Sequence, residues 1–130
     1  MAASAKRFLI VAHAPSPNTE ALLRAVTAGA CAPEVAGVAV EVVSPFAVTP
    51  AHVCAADALI LGTTENLGYM SGALKDFFDR CYYPCLERTQ GLPYASYIRA
   101  GNDGAGAQRS IETVVTGLRW RRVQEPLICR

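Results

Sequence analysis

A chain of 130 residues, 52% of them hydrophobic, is long enough for one domain with a real core, taken here as residues 1–130. Its 12 Lys and Arg nearly balance its 11 Asp and Glu, and a net charge of +1 excludes nucleic-acid binding driven by charge. The five cysteines, Cys31, Cys54, Cys81, Cys85 and Cys129, include no C-x-x-C pair, and with only two distant histidines a structural zinc site is not expected; they read as free thiols of a reducing cytoplasm.

The N-terminus imitates a secretory signal: Lys6-Arg7, an apolar run Phe8 to Ala12, then Ala12-His13-Ala14. The run has five residues, short of the roughly 7–15 that such a core needs. Phe8–Ala12 is instead predicted to be a first strand, covered on both faces. No run reaches transmembrane length, so no membrane association is expected.

His13-Ala-Pro-Ser-Pro-Asn-Thr19 follows as a turn, with Asn18-Thr19 as the capping pair of a helix. Leu22, Leu23, Ala25 and Val26 give that helix its apolar side, and Gly29 lies near its end. Hydroxyl and amide side chains beside the free N–H groups of a helix N-terminus make either an ordinary capped turn or an anion site. Val35 to Val43 reads as a second strand, ended by Pro45, and Thr49-Pro50 as the start of a helix of about one turn over 51–56.

Ala58 to Leu61 is a third strand, followed by a long polar loop, Thr63 to Met70. Ser71 is placed to cap a helix in which Leu74, Phe77, Phe78 and Cys81 share one face and Asp76 and Arg80 pair at i, i+4 on the other. Pro84 is expected to close it. Pro93 to Ala100 is the fourth strand, and Gly101-Asn-Asp-Gly-Ala-Gly106 a loop suited to close backbone approach. Ile111, Val114, Val115 and Leu118 mark a last helix, with Gly117-Leu118 as its glycine cap. Residues 120–123 and 127–129 make a fifth strand interrupted at Pro126; Arg121-Arg122 is read as a solvated edge.

Three segments of this pattern carry a resemblance. Gly62-Thr-Thr-Glu-Asn-Leu-Gly-Tyr-Met-Ser71, followed by Leu74-Lys-Asp-Phe-Phe-Asp-Arg80, resembles the flavin loop and following helix of the flavodoxin-like NAD(P)H-dependent FMN and quinone reductases. Thr64-Glu65 stands where many relatives carry proline. Ala12-His-Ala-Pro-Ser-Pro-Asn-Thr19 is similar to the FMN-phosphate loop of the same family, with His13 where relatives often have Ser or Gly; it either bonds the phosphate or closes the loop. Ala100-Gly-Asn-Asp-Gly-Ala-Gly106 is similar to the third flavin loop.

The resemblance implies a flavodoxin-like three-layer sandwich around a five-stranded parallel sheet of order 2-1-3-4-5. In that order the loops after strands 1, 3 and 4 meet at the switch point, where such sheets bind ligands. They are the three loops the motifs pick out. His13, Ser16, Asn18 and Thr19 would face a phosphate. Thr63, Thr64, Glu65, Asn66, Leu67, Gly68, Tyr69 and Met70 would line a flat ring, and Gly101, Asn102, Asp103 and Gly104 its far edge.

The implied activity is hydride transfer from NADH or NADPH through bound FMN to a small-molecule acceptor such as a flavin or a quinone. No protein nucleophile is required, and no Ser-His-Asp order or carboxylate pair suggests one. A flavodoxin-type electron carrier is the first alternative, against which the near-neutral charge argues, since such carriers dock through acidic rims. The second is an interaction module that keeps the fold without flavin. Relatives usually continue past the fifth strand into a further helix. Without one, a face of the sheet would stay uncovered, and self-association into a homo-oligomer is expected.

Overall fold

The computed structural model describes residues 5–130. β1 (Lys6–Ala12) leads to α1 (Pro17–Ala30), β2 (Val38–Val43) to α2 (Pro50–Ala55), and β3 (Ala58–Asn66) through a short β4 (Tyr69–Met70) to α3 (Gly72–Cys85). β5 (Pro93–Arg99), α4 (Ala105–Leu118), β6 (Arg121–Arg122) and β7 (Leu127–Cys129) complete the described chain. The strands run in the order β2-β1-β3-β5-β6, and β7 also pairs with β5. Every one of these pairs is parallel. This is the expected order, with β6 and β7 sharing the fifth position.

The interruption near Pro126 is visible in the register. Tyr94 pairs with Arg122 but Tyr97 with Leu127, so the edge strand carries two more residues than its partner over that stretch. Proline has no N–H for the ladder, and an edge tolerates the detour.

The two faces of the sheet differ greatly in cover. Leu9, Val11, Leu59, Leu61 and Ile98 face one side and pack with Val53 of α2, Leu74, Phe77 and Phe78 of α3, and Ile111, Val115 and Leu118 of α4. That layer holds most of the core. On the other face only Ile10, Ala12 and Tyr97 form the buried centre, under Leu22, Leu23 and Val26 of α1. No residue of β6 or β7 joins that cluster, and Leu127 is exposed.

Four local expectations need correction. The cap of α1 is Ser16, not Asn18-Thr19: Thr19 sits at the third helical position and closes a reciprocal capping box with Ser16. Pro84 lies inside α3, which runs on to Cys85; in the last turn the missing N–H costs a single bond. The αL residue that ends α4 is Arg119 (φ 61°), two residues beyond Gly117. Gly117 instead gives room to Tyr82, whose hydroxyl would stand 2.3 Å from an added Cβ.

The fourth correction is the largest. Residues 63–70 do not form a loop. β3 continues to Asn66, turns at Leu67-Gly68 and returns as β4, with Glu65 opposite Met70 and Asn66 opposite Tyr69. Leu67 (φ 55°) and Gly68 (φ 71°) both have positive φ, as the tight turn matching strand twist requires.

Candidate functional site

Because β1, β3 and β5 are parallel neighbours, the segments after them emerge together at the carboxyl edge of the sheet. The three predicted segments therefore do meet: residues 13–16, the β3–β4 hairpin, and residues 101–104. Each is built differently from the others.

The first is a turn onto the N-terminus of α1. The His13 N–H donates to the Gly62 carbonyl at 3.0 Å, which pins the turn to β3. The hydroxyls expected to face a ligand are largely engaged. The Ser16 N–H donates to Thr19 Oγ1 at 2.9 Å, Thr19 Oγ1 donates to the Ser16 carbonyl at 2.9 Å, and the Thr19 N–H meets Ser16 Oγ at 3.4 Å. Pro15 and Pro17 have no N–H. Among the described residues the backbone N–H groups of Ala14 and Asn18 have no protein acceptor, so they are the donors this helix end still offers.

His13 is half-buried. Its ring meets Phe46 edge-on, with centroids 6.4 Å apart, and burial lowers its pKa from the ordinary 6.5. Phe46 lies on the segment after β2, which Arg80 of α3 holds by donating to the carbonyls of Pro45 and Val48. Arg80 also makes the expected pair with Asp76, at 2.8 Å.

The hairpin is anchored on α4. Glu65 Oε2 accepts from the N–H groups of Gly106 and Ala107, at 3.0 and 3.1 Å, in the first turn of that helix. The Met70 N–H donates to Ser110 Oγ at 3.0 Å. Gly106 has no room for a side chain, since an added Cβ would fall 2.0 Å from the Gly68 carbonyl oxygen. Thr63 is buried and accepts from the Ser71 N–H at 2.9 Å, which ties the arm to the start of α3. Thr63, Glu65 and Met70 thus have structural duties within the frame. Leu67, fully exposed at the tip, and the rest of the exposed Asn66 to Tyr69 stretch remain open to a ligand.

In the third segment Asp103 Oδ1 accepts from the Ala105 N–H at 3.0 Å, and the Asn102 carbonyl accepts from Arg130 Nε at 2.8 Å. Gly104 (φ 73°) packs against Ile128. Two carboxylates, Glu65 and Asp103, therefore already sit at the positive end of α4. An anion brought to this edge has α1 as its helix end.

Buried polar side-chain atoms without a partner are rare in folded proteins. Among the described residues they are His13 Nδ1, Thr64 Oγ1 and Tyr97 Oη. All three belong to the region of Gly62: His13 bonds its carbonyl, Thr64 follows it by two residues, and Tyr97 is its register partner on β5. Tyr97 was not singled out in the sequence. Its signal was only a tyrosine in a buried strand, and its relation to Gly62 exists only once β3 and β5 are paired.

A separate cavity of about 640 Å³ lies elsewhere, where the short α2 leaves β1 and β2 uncovered; Arg7, Leu9, Ala39, Glu41 and His52 line it. It is on the side of the sheet rather than at its carboxyl edge. Among the described residues no cluster of His, Cys, Asp or Glu could hold a metal ion.

The backbone has the flavodoxin-like fold. A flavodoxin from the domain Archaea superposes with a TM-score of 0.77 at 21% identity, covering 95% of this chain and 84% of that one. The two-electron-reduced flavodoxin of Megasphaera elsdenii gives 0.77 at 17% identity, over 94% and 85%. An apo NADH:FMN oxidoreductase gives 0.70 at 16% identity, over 95% and 75%. At these identities the likeness establishes the fold. No family model matches the sequence, and no curated protein is recognisably similar to it.

Proposed function

We propose that this protein binds FMN at the carboxyl edge of its sheet and acts as an NAD(P)H-dependent oxidoreductase toward a small-molecule acceptor, a flavin or a quinone. The observation that carries the reading is the cluster of unpartnered polar atoms around Gly62, beside the N-terminus of α1. Leaving a buried polar group unsatisfied costs about 1–3 kcal/mol. A ligand rich in hydrogen-bonding groups would satisfy several of them together. That the fold is shared with flavodoxins and with an NADH:FMN oxidoreductase supports flavin as that ligand.

The residues fit such a group, with a smaller donor set than the motif implies. The Ala14 and Asn18 N–H groups at the end of α1 would hold its phosphate. The exposed tip of the hairpin and the 101–102 backbone would border its ring, Leu67 and Tyr69 offering apolar surface. Bound flavin would supply the hydride acceptor and donor. The protein's part is to orient the ring; burial lowers the pKa of His13 in the flavin-free chain, and a phosphate bound beside it would act in the opposite direction.

Titration of the purified protein with FMN, followed by flavin fluorescence, tests this directly. Saturation at one FMN per chain is expected, and no saturation would refute the reading. Oxidation of NADH or NADPH without a reductase partner then separates the enzyme from the electron carrier. The net charge of +1 favours the enzyme, because carriers steer to their partners through strongly charged rims.

A cytoplasmic setting belongs to the same proposal: the five cysteines are free thiols. Among the described residues no helix is long and apolar enough to cross a membrane.

A further inference from the structure

Tyr97 stands at the middle of β5 with its side chain on the α1 face of the sheet. It is 96% buried by neighbours, at 4% exposure, and belongs to the small cluster with Ile10 and Ala12. Its ring lies over Gly62: a Cβ built there would be 2.3 Å from Tyr97 Cζ and 2.4 Å from its hydroxyl oxygen. Gly62 is therefore glycine because the phenol occupies the space a side chain would take. The hydroxyl reaches from β5 to the middle of β3, over Gly62, which is paired with Ala12 at the end of β1 and whose carbonyl holds the His13 turn.

A buried tyrosine normally bonds through its hydroxyl. This one has no partner. Thr64 is in the same condition. Side chains alternate along β3, with Leu59, Leu61 and the inward-bonded Thr63 on the α3 side, so Gly62 and Thr64 share the α1 face with Tyr97. Two unsatisfied hydroxyls thus lie on one side of the sheet, under the turn that enters α1.

We infer that Tyr97 is a ligand-binding residue of this site, its phenol donating a hydrogen bond to the polar phosphate–ribityl chain of the flavin with Thr64 Oγ1 as its neighbour. The inference rests on the FMN reading above. Burial pushes the Tyr97 pKa up to about 12, so the phenol stays protonated and available as a donor throughout the working range of pH. Donation without a change of charge suits a group that holds a cofactor and takes no part in its chemistry.

The test is Tyr97→Phe, which removes only the hydroxyl and keeps the ring over Gly62. FMN affinity of wild type and variant is read by fluorescence titration, and the melting temperature of both is read on the flavin-free protein. The expected result has opposite signs. FMN binding weakens about tenfold, the worth of one hydrogen bond. The flavin-free variant melts no lower than wild type, because it has lost an unsatisfied buried group.

Equal FMN affinity in the two proteins overturns the inference and leaves the FMN reading standing. A flavin-free variant that melts several degrees lower also overturns it, since the hydroxyl would then be bonded within the protein. If wild type itself takes up no FMN, both readings fall. Thr64→Val gives a second measure, with the same pair of signs expected.

Discussion

Glu65 belongs to the Thr64-Glu65 pair that stands where many members of the resembling family carry proline, and its carboxylate caps a helix 41 residues further along. Two charge-assisted bonds to N–H groups in the first turn of α4 also offset that helix's dipole. Glu65→Ala should therefore cost about 1–2 kcal/mol of stability, the usual loss for a helix cap, measured by urea denaturation. Thr19→Ala acts in the same way at α1. It breaks a capping box and should cost about 1 kcal/mol, with any loss of FMN affinity arising through the loosened turn.

The thiols make a further residue-scale prediction. Cys31 and Cys54 are exposed, whereas Cys81 and Cys85 are buried. Desolvation raises the pKa of Cys81 and takes that of Cys85 to about 12, with Cys54 adding to the second shift. Brief alkylation of the native protein near pH 8, mapped by mass spectrometry, should label Cys31 and Cys54 and spare Cys81 and Cys85. His13 sets a pH dependence of opposite sense to that of a salt-bridged histidine. Its folded pKa lies below 6.5, so the unfolded chain takes up the proton first. Its contribution is fully present above 6.5 and is lost as pH falls from there through the folded pKa. Urea midpoints at pH 7.5 and 5.5 should fall further apart in wild type than in His13→Gln.

Among the elements, the β3–β4 hairpin and α4 form one unit, and glycine decides how close they come. Gly106→Ala puts a methyl against the Gly68 carbonyl, a backbone atom that cannot move without the hairpin. About 1–3 kcal/mol of destabilisation is expected, together with weaker FMN binding as the arm lifts. Gly117→Ala meets only the end of the Tyr82 side chain. There a gain of up to about 1 kcal/mol in helix propensity opposes the crowding, and the net change should be small. Parallel denaturation curves of the two variants check the contrast.

The turn itself carries strain in the one non-glycine residue at its centre, Leu67, held at φ 55° and fully exposed. Leucine is costly in that conformation, and asparagine is favoured there. Leu67→Asn should raise stability by about 0.5–1 kcal/mol. A simultaneous loss of FMN affinity would show that the exposed leucine is retained for contact with the ligand. An affinity equal to wild type would remove Leu67 from the site.

At the scale of the molecule, the two faces of the sheet are unequally protected. α3, α4 and the short α2 cover most of one side, while on the other α1 packs over β1, β2, β3 and Tyr97 of β5 and leaves β6 and β7 outside the cluster. We propose that this face supports self-association. Light scattering over a hundredfold range of concentration should give a mass that rises above 13.8 kDa, and a constant monomer mass would refute the proposal. Binding should also be visible in global stability. A ligand present at a hundred times its Kd adds about 2.7 kcal/mol, so FMN in that excess should raise the melting temperature of the whole domain.

The sequence by itself determined most of the architecture. Phe8–Ala12 and Ala58–Leu61 are short, continuous apolar runs, and Leu74, Phe77, Phe78 and Cys81 keep helical spacing; both patterns follow from burial and need no knowledge of neighbours. Alternation of strand and helix predicts a parallel sheet, and the family resemblance implies the strand order that brings three segments to one edge. Local chemistry was misleading where a distant partner outweighed it. Residues 63–70 read as a loop because the stretch is polar and punctuated by glycine, yet anchoring on α4 through Glu65, Met70 and the Gly68–Gly106 approach stabilises a hairpin there. Gly117 looked like a helix cap, but Tyr82 of α3 claims its space.

The unsatisfied hydroxyl of Tyr97 was invisible for the same reason. Nothing within its own strand distinguishes it, and its meaning comes from Gly62, 35 residues away in sequence and directly opposite in register. Periodic burial is a property of a residue and its near neighbours, so the sequence carries it. Caps, close approaches and orphaned polar groups depend on pairs that only the folded chain brings together, and these decide what the carboxyl edge can hold.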